Sequence, residues 1–142
     1  MKRKFSTAWK SSKQRRKQRK YRANAPLHIK KKFVSAGLSK ELRKKYGKRS
    51  IAIRKGDVVK IMTGKFKKKQ GKVLKVNLKT SKIVIDGINV KKMDGSKANV
   101  KMQPSNLQIV ELNLDDKKRK LKVKKEEVKK ELKENKTEGE KK

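Results

Sequence analysis

Most of the branched aliphatic residues of this chain lie between Ile51 and Leu114, and that confinement limits what can fold. Only 32% of the 142 residues are hydrophobic and 43% are charged. A chain of that balance cannot bury a core along its whole length. One small domain of roughly 60 residues can form from the aliphatic window, and near that size a core is marginal by itself. A bound partner would add stability by mass action.

Within the window the pattern is that of short strands. Arg54-Lys55-Gly56-Asp57 reads as a turn, and Val59 and Ile61 alternate after it. Thr63 to Gly71 reads as a loop with a glycine near each end, Gly64 and Gly71. Val73 and Val76 resume the strand signal, and their spacing of three implies a bulge. A turn over Leu78 to Lys82 leads into Ile83-Val84-Ile85. Asp86-Gly87 and Asp94-Gly95 are hairpin-type dipeptides. Leu107 to Val110 forms a final strand after Pro104-Ser105-Asn106. Four or five such strands imply a mainly β chain, a small antiparallel barrel or sandwich over residues 51–114.

The segment before it is different. Residues 1–23 have no apolar periodicity and read as a basic arm, irregular until contact orders it. Phe5, Trp9 and Tyr21 interrupt its cations. They either stack on unpaired bases or dock on protein. Residues 24–50 read as a basic helical extension. Pro26 suits the first position of one short helix, with Ile29 and Phe33 at i,i+4. A second helix runs from a Ser39 cap, through Leu42 and Tyr46, to Gly47. Residues 115–142 are rich in Lys and Glu and read as an exposed helix or a disordered tail.

Charge then names the class of partner. Residues 1–50 carry 20 basic side chains against one acid, Glu41. The formal net charge of the whole chain is +35, which calls for a polyanion, most simply a nucleic-acid backbone. A membrane partner is not expected, because no apolar stretch is long enough to span and the basic arm lacks an apolar face. An enzyme is not expected either. The one histidine, His28, stands alone, and the acids before residue 115 are scattered. No phosphate loop, zinc spacing or nucleophile motif is present, and cysteine is absent. No cofactor, metal or small-molecule substrate is expected.

The run from Arg54 to Val76 resembles the KOW motif. Gly56, Asp57, Val59, Ile61, Gly64, Lys67, Gly71, Val73 and Val76 match it. Lys68 departs from it, standing where the motif usually has a glycine. The flanking stretches Asn24 to His28, Leu38 to Tyr46, Arg49 to Lys55, Asp86 to Lys92 and Pro104 to Leu107 widen the likeness. Together they resemble the KOW-bearing protein of the large ribosomal subunit, twenty-fourth in the universal naming, in its archaeal and eukaryotic branch. The short Asp-Gly turns lean archaeal.

The resemblance implies an SH3-like barrel in the cytoplasmic large subunit, bound to rRNA near its 5′ end. It also implies a role in early assembly, a place near the peptide exit tunnel, and neighbouring large-subunit proteins as partners. No homo-oligomer is expected. The expected rRNA contacts in the arm are Lys13, Arg15, Arg16, Lys17, Arg19, Lys20 and Arg22. In the helical extension they are Lys30, Lys31, Lys32, Arg43, Lys44, Lys45 and Arg49. Arg54 and Lys55 precede the barrel, and Lys65, Lys67, Lys68 and Lys69 form its loop. Gly64 and Gly71 serve turn geometry, or let strands or RNA come close. The other readings are a KOW module of a transcription regulator and a nonspecific nucleic-acid-compacting protein.

Overall fold

Alternation of aliphatic residues builds a seven-stranded sheet around one core. The computed structural model describes residues 5–8 and 12–120. In chain order the elements are helix α1 (Arg15–Asn24), helix α2 (Leu27–Phe33), strand β1 (Ser35–Leu38), helix α3 (Lys40–Tyr46) and strands β2 (Ser50–Ala52) and β3 (Val58–Ile61). Strands β4 (Gln70–Asn77), β5 (Lys82–Lys91), β6 (Lys97–Met102) and β7 (Leu107–Glu111) complete the fold. A single 3-10 turn, Pro104–Asn106, leads into β7. The order across the sheet is β2-β1-β7-β3-β4-β5-β6.

The fold is mainly β and barrel-like, as the sequence implies, but the sheet stays open, with β2 and β6 as its edges. It has seven strands rather than four or five, and it is mixed. β1 runs parallel to β7, with Gly37 opposite Gln108 and Leu38 opposite Ile109. The sequence hides β1 because Ser, Ala and Gly are weak strand formers and two helices flank it. Its burial alternates all the same. Val34, Ala36 and Leu38 point into the core that Val59, Ile61 and Ile109 share. The segment expected as purely helical therefore contributes a strand to the sheet.

The bulge implied by Val73 and Val76 is present. Pairing shifts between Val73 and Lys75, and Val73 is buried while Leu74 faces solvent. Asp86-Gly87 is not a hairpin. It lies inside β5, where the five steps from Val84 to Asn89 span only two on β6. Gly87 takes the left-handed conformation (φ 71°) there. This irregularity keeps both Ile85 and Ile88 in the core, which a regular alternation cannot do. Asp94-Gly95 does close the β5–β6 hairpin, with Asp94 Oδ1 accepting from the Ser96 N–H and hydroxyl. Those bonds hold the Asp94 carboxyl below its ordinary range.

The helices follow their caps. Ser39 Oγ accepts from the Leu42 N–H at the start of α3, and Gly47 ends it in the left-handed region. Pro26 is the N-cap of α2 rather than its first helical residue. Residues 15–23, expected as part of an irregular arm, are helical, and the helix runs on to Asn24.

Candidate nucleic-acid interface

α1 is a helix that local forces alone would not hold. It has no side-chain cap, no acid in its first turn and no buried residue. Arg15 and Arg19, and Arg16 and Lys20, are like charges four apart, which destabilises a helix. Its attachment is aromatic. The Tyr21 ring lies 4.9 Å from that of Phe5 and 6.1 Å from that of Phe33 at the end of α2. Of the two readings left open for the arm's aromatics, docking on protein is the one Phe5 and Tyr21 adopt. Trp9 lies outside the described residues. All six cations of α1 stay exposed, as does Lys13 before it.

α2 and α3 extend this basic surface. Lys31, Lys32, Lys44, Lys45 and Arg49 are exposed, and Lys30 is half-buried. Arg43 is exposed but has an internal partner as well. Its Nε donates to the Leu38 carbonyl at 2.8 Å, and its guanidinium comes within 3.3 Å of a Cβ built on Gly37. It ties α3 to β1.

The β3–β4 loop forms a second cluster. The Lys68 N–H donates to the Ile61 carbonyl, Lys67 N–H to Gly64, and Lys69 N–H to Phe66. Phe66 packs against the core and Lys69 Nζ lies 5.6 Å from its ring centre. Lys65, Lys67, Lys68 and Lys69 all project into solvent. Gly64 has φ +87° and open space around it, so its role is turn geometry. Gly71 is different, because a Cβ there would lie 2.7 Å from the Asp86 carbonyl oxygen. It lets β4 and β5 approach.

The comparisons bear on what such a surface belongs to. Residues 12–126 match the model of a ribosomal protein family, described as L26 in eukaryotes and L24 in archaea. A relative from Methanosarcina barkeri (strain Fusaro / DSM 804), the large ribosomal subunit protein uL24, is 47% identical over 114 residues, covering 80% of this chain and 98% of its own. The chain belongs to this family. It is a family of ribosomal proteins and not of enzymes.

In this family member the motif's departure has a visible consequence. Lys68 adopts φ 71°, the left-handed conformation that glycine takes most easily. The loop thus keeps the turn and adds a cation, at the cost of strain.

Arg54 and Lys55 sit on a turn that a buried carboxylate organises. Asp57 is fully buried. Its Oδ2 accepts from the Arg54 N–H at 2.8 Å, and its Oδ1 from the Asn113 N–H at 2.9 Å. The Arg119 guanidinium grips both oxygens, at 2.6 and 2.9 Å. Arg119 also donates to the carbonyls of Asn113 and Ala52. Arg54 pairs with Asp116. Residues 115–120 belong to the stretch expected as an exposed helix or a disordered tail; residues 117–120 are helical, but Arg119 among them is only 5% exposed. A lone Arg in a Lys-rich run was the available signal, since Arg alone forms a planar two-pronged bond to a carboxylate. Residues 121–142, and what was expected of them, lie outside the described residues.

Proposed function

We propose that the chain is a structural component of the large ribosomal subunit that binds its rRNA mainly through phosphates. One observation carries this. Of the basic side chains expected as contacts, all but Lys30 and Arg54 are exposed, and they project from a folded scaffold. α1 and the loop both hold like charges close together, an arrangement that an anionic backbone relieves. Lysine outnumbers arginine in the loop, which favours phosphate and shape over base edges. The family resemblance adds a site near the rRNA 5′ end, an early assembly role and a position by the exit tunnel.

The protein is expected to co-sediment with large subunits in high-salt gradients. Its affinity for isolated rRNA is expected to fall steeply with salt. Six to ten phosphate contacts give a log–log slope of roughly −4 to −9. A flat dependence, or duplex DNA competing as well as folded rRNA, would overturn the reading.

A further inference from the structure

The bulge in β4 turns two successive side chains, Leu74 and Lys75, outward after the buried Val73. Leu74 is 42% exposed. It forms the floor of an open groove of about 600 Å³, together with Ile53, Val76 and Leu78. The rim is cationic on every side. Lys31 reaches it from α2, Arg54 and Lys55 from the turn before β3, and Lys75 from β4 itself. Arg54 is paired with Asp116, whereas Lys31, Lys55 and Lys75 are exposed. No acid lines the groove. Its size falls in the range of small-molecule sites.

We propose that this groove receives an unpaired nucleotide of RNA, its base on the aliphatic floor and its flanking phosphates on the rim lysines. The inference rests on the rRNA-binding reading and adds a second mode to it. The α-helical and loop clusters offer only charge, and so suit any phosphate backbone. The groove offers an apolar floor under a ring of cations, and a base in a paired helix cannot reach it. An acidic peptide would meet the same rim. RNA is favoured because Lys31, Arg54 and Lys55 continue the basic surface already described, so a strand lying there crosses the groove. The floor has no donor or acceptor to read a base edge, so the site accepts any base by its face.

The test uses the full chain, a fully paired RNA duplex, and the same duplex carrying a single-nucleotide bulge of 2-aminopurine. Binding of the bulged RNA is expected to change the fluorescence of the extruded base. Leu74→Asp is expected to abolish that change and to weaken bulged RNA about tenfold while leaving the duplex affinity unchanged. Leu74 is exposed, so the variant should fold, and Leu74→Asn supplies a second, uncharged variant with the same expected pattern. Photocrosslinks from 4-thiouridine at the bulge are expected on β4. Equal loss for both RNAs, or no loss for either, would overturn the groove proposal while the phosphate reading stands. Displacement of the bulged RNA from the groove by a poly-glutamate peptide at low micromolar concentration would assign the groove to acidic protein instead. Failure of the unaltered chain to bind either RNA would instead overturn the rRNA reading.

Discussion

At the scale of single residues, two side chains separate structural from functional charge. Asp57 and Arg119 form a buried pair, so neither is available to RNA. Removing one partner of such a pair typically costs about 3–5 kcal/mol, because the other is left buried and uncompensated. The two losses should not be equal. Without Arg119, Asp57 still accepts from the N–H groups of Arg54 and Asn113. Without Asp57, those two donors lose their acceptor and the buried guanidinium loses its counter-charge, keeping only the carbonyls of Asn113 and Ala52. Asp57→Ala is therefore expected to destabilise more than Arg119→Met in urea unfolding. Lys68 works in the opposite direction. Its left-handed conformation costs about 1–3 kcal/mol, and a glycine loses about 0.5–1 kcal/mol in chain entropy. Lys68→Gly should stabilise the barrel by about 1 kcal/mol and still weaken RNA binding. A variant more stable and less adherent would show that this lysine is kept for its charge. Unchanged RNA affinity would show that it is not.

At the scale of elements, the loop and the helices differ in what holds them. The β3–β4 loop is fixed by its own backbone bonds and by Phe66, while its lysines are exposed. Replacing Lys67, Lys68 and Lys69 together with Ala should leave the thermal midpoint nearly unchanged. It should cost RNA binding on the order of 1 kcal/mol per lost charged contact, read by filter binding. α1 depends on one ring. Ten residues are too few for an isolated helix to persist in water, and six cations make it worse. Tyr21→Ala should reduce helical circular dichroism and speed amide exchange over residues 15–24. Full protection in that variant would show that α1 stands without its aromatic contact. The same contrast explains what was legible in the sequence. Strands with Val and Ile at alternate positions, the β4 bulge and the Ser39 and Gly47 caps declare themselves locally. α1 does not, because its stability comes from Phe33 and Phe5 rather than from its own pattern. β1 does not, because its pairing with β7 joins residues 71 positions apart at Gly37 and Gln108. The loop lysines were legible by composition. The groove was not, because it needs α2, the turn before β3 and the β4 bulge brought together.

At the scale of the whole molecule, a small core is made sufficient by what lies on either side of it in the chain. β1 adds a strand from before the expected barrel, and Arg119 closes a polar network from after it. The folded unit thus extends past the last strand at least to Arg119, and two truncations measure what that ion pair contributes. Residues 122–142 carry nine basic and six acidic side chains, only +3 of the total +35. Ending the chain after Leu121 removes little charge and keeps Arg119, so rRNA affinity and subunit incorporation should be unchanged. Ending it after Leu114 keeps every strand but strips Asp57 of its guanidinium. The expected loss of about 3–5 kcal/mol is a large share of the roughly 5–15 kcal/mol that holds a typical domain. That shorter chain should melt well below the longer one and be cleaved quickly by protease. It should also regain resistance when rRNA is added, since a ligand at about 100 times its dissociation constant contributes about 2.7 kcal/mol. Equal melting of the two truncated chains would place the boundary of the fold at β7. Equal failure to enter subunits, with both chains folded, would make residues 122–142 a docking element in their own right.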